Sequence, residues 1–258
     1  VGVITTERGR IGLTAHGDGA ATPIVFLHGV GSDKSVWAPQ LAAFPERRAL
    51  AFDYPGYGES DPAPGATRDD FAVAILDALE ALGIPRAHVC GLSLGGVVAI
   101  ALHTLAPERC ASLILADSFA RHPDGQAIYD RSIEAASTIG MRRLAEARAP
   151  ALLGNAATGA VRDEVIAKMS RIDPDAYALG ARAVWLADQV ERARAIAAPT
   201  LVLVGDEDGI TPPALSRELA ELIPGARLDI IASAGHLANL ECPAAFNRAL
   251  AQFLSEID

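Results

Sequence analysis

An α/β protein built on a mostly parallel sheet, with helices on both faces, is what this sequence predicts, and three observations carry the prediction. Short, continuously apolar runs recur along the chain: PIVFL, RALAFD, AHVCGLS, ASLILAD, PTLVLVG and ARLDIIA. Segments of helical period stand between several of them, at residues 70–82 and 97–105. The strand rhythm then stops between about Phe119 and Ala197 and returns at Pro199. Strands buried on both faces lose the alternation of half-buried ones and read as unbroken apolar runs. Alternating strands and helices imply a parallel sheet covered on both sides.

Taken in order, residues 1–16 mix β-branched and polar side chains with Gly2, Gly9 and Gly12, which fits a short antiparallel pair. The stretch GDGAATP reads as a turn, and PIVFL after it as the first buried strand. Gly83 is placed to end the helix over 70–82. The interruption from Phe119 to Ala197 is rich in Ala and Arg and offers helices near 126–137, 142–149 and 162–169 but no convincing strand. It predicts a helical lid over residues 119–197, inserted into a core formed by 1–118 and 198–258.

With 32 acidic against 22 basic residues the formal charge is −10, which argues against a partner rich in phosphate and so against nucleic acid. Three cysteines, Cys90, Cys110 and Cys242, are odd in number and form no CxxC pair, so neither a disulfide framework nor a zinc site is expected. A reducing, cytoplasmic compartment fits them. No apolar run reaches the roughly 18 residues that span a bilayer, and no secretory leader is read. Self-association is left open.

The chemistry centres on Gly91-Leu92-Ser93-Leu94-Gly95, a G-x-S-x-G pentapeptide. An apolar strand precedes it and a helical run follows, which is the strand-turn-helix setting of a nucleophile elbow. A serine held in a strained turn leaves no room for β-carbons two positions before and after it, hence the glycines. A hydroxyl is a weak nucleophile at neutral pH and needs a base within reach and donors for a developing oxyanion. His236 suits the base, because it follows the run LDIIA in a loop at the end of a strand and completes the order serine, acid, histidine. For the acid, Asp206, Glu207 and Asp208 compete after the strand PTLVLV, with Asp117 as an outside candidate. His28-Gly29-Val30-Gly31 follows the first buried strand, and the backbone amides of Val30 and Leu94 together would form an oxyanion hole.

In order along the chain, LHGVGSDKSVW, FDYPGYGES, GLSLGG, VGDEDGITP and AGHLANLECPAAF resemble the α/β-hydrolase superfamily. Within it the chain most resembles the 3-oxoadipate enol-lactonases and related ring-cleavage-product hydrolases. The resemblance implies an eight-stranded, mostly parallel sheet and a Ser93, Asp208, His236 triad, with the acid three residues after Gly205. It implies cleavage of a small ester or (enol-)lactone through an acyl-enzyme, without metal or organic cofactor. Arg121, soon after the sixth strand, would pair with a substrate carboxylate through its bidentate fork, and Trp185 would line the pocket. Hydrolysis of a carbon–carbon bond in a ring-cleavage product is the alternative chemistry. A ligand receptor with little turnover is the alternative of another class.

Overall fold

The computed structural model describes residues 2–155 and 157–258; Val1, at the head of the expected first pair, lies outside them. Among the described residues seven strands form one sheet: β1 (Gly2–Thr6), β2 (Gly9–Leu27), β3 (Arg47–Phe52), β4 (Ala87–Leu92), β5 (Cys110–Ala116), β6 (Thr200–Gly205) and β7 (Arg227–Ile231). Their order is β1-β2-β4-β5-β6-β7, with β3 on β2. β1 and β2 pair antiparallel, and the strands from β4 to β7 are parallel neighbours.

The expected eight strands become seven because GDGAATP does not break the chain out of the sheet. Residues 9–27 continue as one bent strand through a series of register shifts. Its second half runs with β3, Ile24 facing Ala49 and Leu27 facing Phe52; its first half meets β3 with Leu13 at Phe52 and His16 at Ala49. One strand therefore takes the place of two.

Among the described residues ten α-helices accompany the sheet. α1 (Ala38–Leu41) follows a 3-10 turn, Lys34–Trp37. α2 (Arg68–Ala81) starts at a capping box, in which Thr67 accepts from the Asp70 amide and Asp70 accepts from the Thr67 amide. α3 (Leu94–Leu105) springs directly from Ser93. α4 (Gly125–Leu152), α5 (Gly159–Met169), α6 (Pro174–Trp185) and α7 (Val190–Arg194) fill the interval between β5 and β6. α4 is two helices joined at Gly140, whose φ of 76° breaks the helical path. α8 (Pro213–Leu222), α9 (Ala238–Glu241) and α10 (Pro243–Ile257) close the fold.

Successive residues of a strand point to opposite faces, and here each face has its own core. Val25, Leu27, Leu50, Phe52, Leu113, Leu115 and Val202 pack on one side with α2, α3 and α8. Ile24, Phe26, Ala49, Ala51, Ile114, Ala116, Leu201 and Leu203 pack on the other, with Trp37 and the Phe246, Leu250 and Phe253 stripe of α10. Burying a side chain of that size is worth about 1.5–3 kcal/mol, so the strand ends around Ser93 are held from both sides. Cys90 is one of these fillers, a free and buried thiol whose ionisation burial pushes far up. Among the described residues no helix is long and apolar enough to cross a membrane.

Candidate active site

Ser93 sits between β4 and α3 with φ 55° and ψ −112°, a left-handed backbone that a side-chain-bearing residue adopts only when its surroundings force it. The forcing is visible. Its amide donates to the carbonyl of Ala116 at 2.9 Å, and Ser118 Oγ donates to its carbonyl at 2.9 Å. A β-carbon on Gly91 would run into the carbonyl of Gly95, and one on Gly95 into the carbonyl of Leu27. The two glycines are thus fixed by the close approach that the turn requires.

Asp208 lies in the loop after β6. Its Oδ2 meets His236 Nδ1 at 2.9 Å and accepts from Thr211 Oγ1 at 2.7 Å, while Oδ1 accepts from the amides of Ile210 and Thr211 at 2.8 and 2.9 Å. Burial opposes its charge, but His236 and the Thr211 bonds outweigh that and hold the carboxyl down at about 2. Asp206 instead accepts from the Ser233 amide, and Glu207 from the Asn155 amide. Of the three neighbouring acids, Asp208 is the one joined to the histidine.

Asp117 is fully buried at the end of β5, where its Oδ1 accepts from the Gly205 amide at 2.9 Å. It forms no bond to His236. Burial and the charge of Asp208 push its carboxyl well above the usual range.

The His236 loop is braced from three directions. Its amide donates to the Leu152 carbonyl at 2.9 Å. On either side of it, the amides of Gly235 and Leu237 donate to Glu241 Oε1 at 3.0 and 3.3 Å. The other oxygen of Glu241 accepts from the Gly154 amide at 2.6 Å. One carboxylate therefore ties the histidine loop to the end of α4.

Ser93 and His236 line a single cavity, together with Gly29, Val30 and Gly31 from below and residues of α4, α5 and α6 from above. Among the described residues no hydrogen bond joins Ser93 to His236; such bonds often tighten only in the complex with substrate. The amides of Val30 and Leu94 donate to no protein acceptor among the described residues. Leu94 opens α3, so its amide is one of the four that a helix leaves unpaired. Val30 is carried by a loop that His28 holds from within: His28 is buried, its Nδ1 lies 2.8 Å from the Gly29 carbonyl and its Nε2 faces the Tyr54 amide. Burial lowers its pKa, keeping the ring neutral.

The helices correct one expectation. Arg121 does not reach the cavity: it is exposed and paired with Asp188 at 3.4 Å, in an isolated bridge beside the Trp185 end of α6. The cations that line the cavity are Arg148 of α4 and Lys168 of α5. Trp185 lines it too, stacked on Phe119. Sequence reasoning missed Arg148, Lys168, Thr211 and Glu241. Only Thr211 left a readable signal, since an aspartate that caps the amides two and three residues on is a common turn device.

No group of three or more His, Cys, Asp or Glu side chains among the described residues is arranged to hold a metal ion.

A sheet whose strand ends present a strained serine, with a histidine and an acid arriving from later loops, is the architecture of an α/β hydrolase. The chain belongs to that family, whose model, described as the alpha/beta hydrolase family, matches residues 24–249. It is similar to 3-oxoadipate enol-lactonase 1 of Acinetobacter baylyi, 28% identical with 99% of this chain and 97% of the relative covered. Among solved structures it is similar to the enol-lactonase of Burkholderia xenovorans LB400, with a TM-score of 0.91, 30% identity, and 98% and 100% of the two chains covered. A thermophilic esterase from Thermogutta terrifontis, solved with malate bound, has a TM-score of 0.91 at 29% identity, covering 99% and 98%. Hydrolysis is accordingly the class of reaction that this protein carries out.

Proposed function

We propose that the protein is a serine hydrolase that cleaves a carboxylic ester or an enol-lactone through an acyl-enzyme. His236 takes the proton of Ser93 Oγ, the oxygen attacks the carbonyl carbon, and the amides of Val30 and Leu94 hold the oxyanion. The protonated histidine passes its proton to the departing oxygen, leaving an acyl-Ser93 ester. Water then attacks that ester, giving one proton to His236, which returns it to Ser93 as the acid product leaves. Asp208 keeps the imidazole in the tautomer with Nδ1 protonated and offsets its positive charge. No metal or organic cofactor enters this scheme. Three free thiols suit a cytoplasmic setting for it.

The observation that carries the reading is the joining of His236 to a deeply ionised Asp208, in a loop that faces the strained Ser93 across one cavity. The likeness to enol-lactonases and an esterase supports a carbonyl–oxygen bond as the one broken. Ser93→Ala should remove turnover of a simple aryl ester while circular dichroism stays that of the wild type. Mass spectrometry of the wild type quenched in acid should find the acyl group on the peptide that contains Ser93. Retained turnover in the variant, or an acyl group on another peptide, would overturn the scheme.

A further inference from the structure

The cavity above Ser93 is lined mostly by apolar side chains: Val36, Leu152, Val165, Met169, Leu237 and Leu240 among them. Among the described residues no aspartate or glutamate lines it. Two cations do, and their surroundings differ. Lys168 is compensated, lying 3.3 Å from Glu164 Oε1 and hydrogen-bonded to Ser35 Oγ. Arg148 is not. Its Nη1 donates to Ser132 Oγ at 3.2 Å and to the Tyr177 hydroxyl at 3.3 Å, both neutral, and its other nitrogens donate to nothing among the described residues.

Elsewhere in the chain, most arginines without a carboxylate partner, such as Arg143, Arg171 and Arg217, stand exposed in water; Arg48 of β3 is half-buried without one but lies outside the cavity. Arg148 is half-buried. Withdrawing a cation from water without an anion to meet it is costly, and a guanidinium with free donors is shaped to take two carboxylate oxygens at once. The serine and tyrosine hydroxyls hold one edge of the group and so fix the plane of the rest. A second unmet donor lines the same cavity: the buried Nε1–H of Trp185 has no acceptor among the described residues.

We infer that Arg148 is a carboxylate-binding residue and that the preferred substrate is an ester or lactone bearing a free carboxylate. This rests on the serine-hydrolase reading of the same cavity. It assigns to α4 the role that the sequence suggested for Arg121.

The test compares isosteric charged and neutral esters. Monoethyl glutarate carries its carboxylate on the acyl side and butyryl glycolate on the alcohol side; the matching primary amides are their neutral counterparts. The readout is the ratio of kcat/KM, charged over neutral, for each pair. The wild type should favour the charged member of at least one pair by about 10- to 100-fold, the worth of a charge-assisted hydrogen bond. Arg148→Met should bring that ratio to near one, and Arg148→Lys should keep a part of it. Arg142→Ala, on the same helix but exposed and outside the cavity, should leave the ratio as it is and so separates local capture from long-range attraction.

A wild type with no preference in either pair overturns the inference, as does an Arg148→Met enzyme that keeps the preference. Thermal unfolding establishes that Arg148→Met is folded, and Arg148→Lys provides a charge-preserving second variant. Failure of the underlying reading would look different: Ser93→Ala would then still turn over both members of a pair.

Discussion

The floor and the roof of the cavity are built by opposite means. On the floor, Ser93, Asp208 and His236 stand on turns at strand ends, and backbone amides fix each of them. Asp208 takes two amides and a hydroxyl, the His236 loop is held at three successive residues, and the Ser93 turn is packed too tightly for β-carbons at Gly91 or Gly95. On the roof, Arg148, Lys168 and Trp185 come from three different helices and are held by a few side-chain contacts. The proposed chemistry is thus anchored in the sheet, while the proposed contacts to substrate come from helices that can change without disturbing it. Substitutions on the floor should lower turnover of every substrate; those on the roof should change which substrate is preferred.

The largest effect belongs to Asp208→Asn. An amide can satisfy the Ile210 and Thr211 amides but no longer compensates an imidazolium, and it lets the ring take the wrong tautomer. Turnover should fall by about 10⁴-fold, the loss that follows when a triad aspartate becomes asparagine, measured as kcat on any ester the wild type accepts. A fall of tenfold or less would place Asp208 among the structural acids. Next comes Glu241→Gln, which tests whether floor and roof are separate at all. Gln has one acceptor oxygen where Glu241 uses two, so either the His236 loop or the end of α4 loses its anchor. The loss of a hydrogen bond to a charged group points to a drop of about 10- to 100-fold in kcat. A change confined to KM would mean that the tie serves α4 alone.

Asp117→Asn probes a smaller, pH-dependent effect. The folded chain raises the pKa of this carboxyl above the ordinary 3.8, by burial and by the Asp208 charge. Its favourable contribution is therefore complete below that value and is lost as pH rises towards the folded one, because only the unfolded chain gains by ionising. Asparagine has the same shape, accepts from Gly205 and never ionises. Its melting temperature relative to the wild type should rise from pH 4 to pH 8; a difference that is flat or falls over that range would show Asp117 to be ionised in the fold.

What the sequence allowed to be read follows the same division. The buried strands declared themselves because an interior with no wet face accepts only apolar residues. The Ser93 turn was legible because steric crowding demands glycine at 91 and 95. Chain order singled out His236; the loop after β6 offered three acids, and only the resemblance to the α/β hydrolases brought Asp208 forward among them. The merging of two strands into β2 was not legible, since GDGAATP has the composition of a turn and only pairing with β3 keeps it in the sheet. Arg148 was invisible for a related reason. The stretch from Phe119 to Ala197 holds many arginines on Ala-rich helices, and which of them turns inward depends on the break at Gly140 and on how α4 packs against α5 and α6.

Arg121 shows that limit most clearly, and the smallest effect should be its own. Its place just after the end of β5 made it the natural arginine to reach a substrate, but the chain there pairs with Asp188 and carries the side chain outwards. Both members of that ion pair are more than half exposed, and a pair in water contributes at most about 1 kcal/mol. Arg121→Ala should therefore shift the melting temperature by no more than a few degrees and leave the charged-to-neutral substrate ratio within about twofold of the wild type. If instead that ratio collapsed, the carboxylate would be met at the exposed rim beside Asp188, and the uncompensated charge of Arg148 would need another explanation.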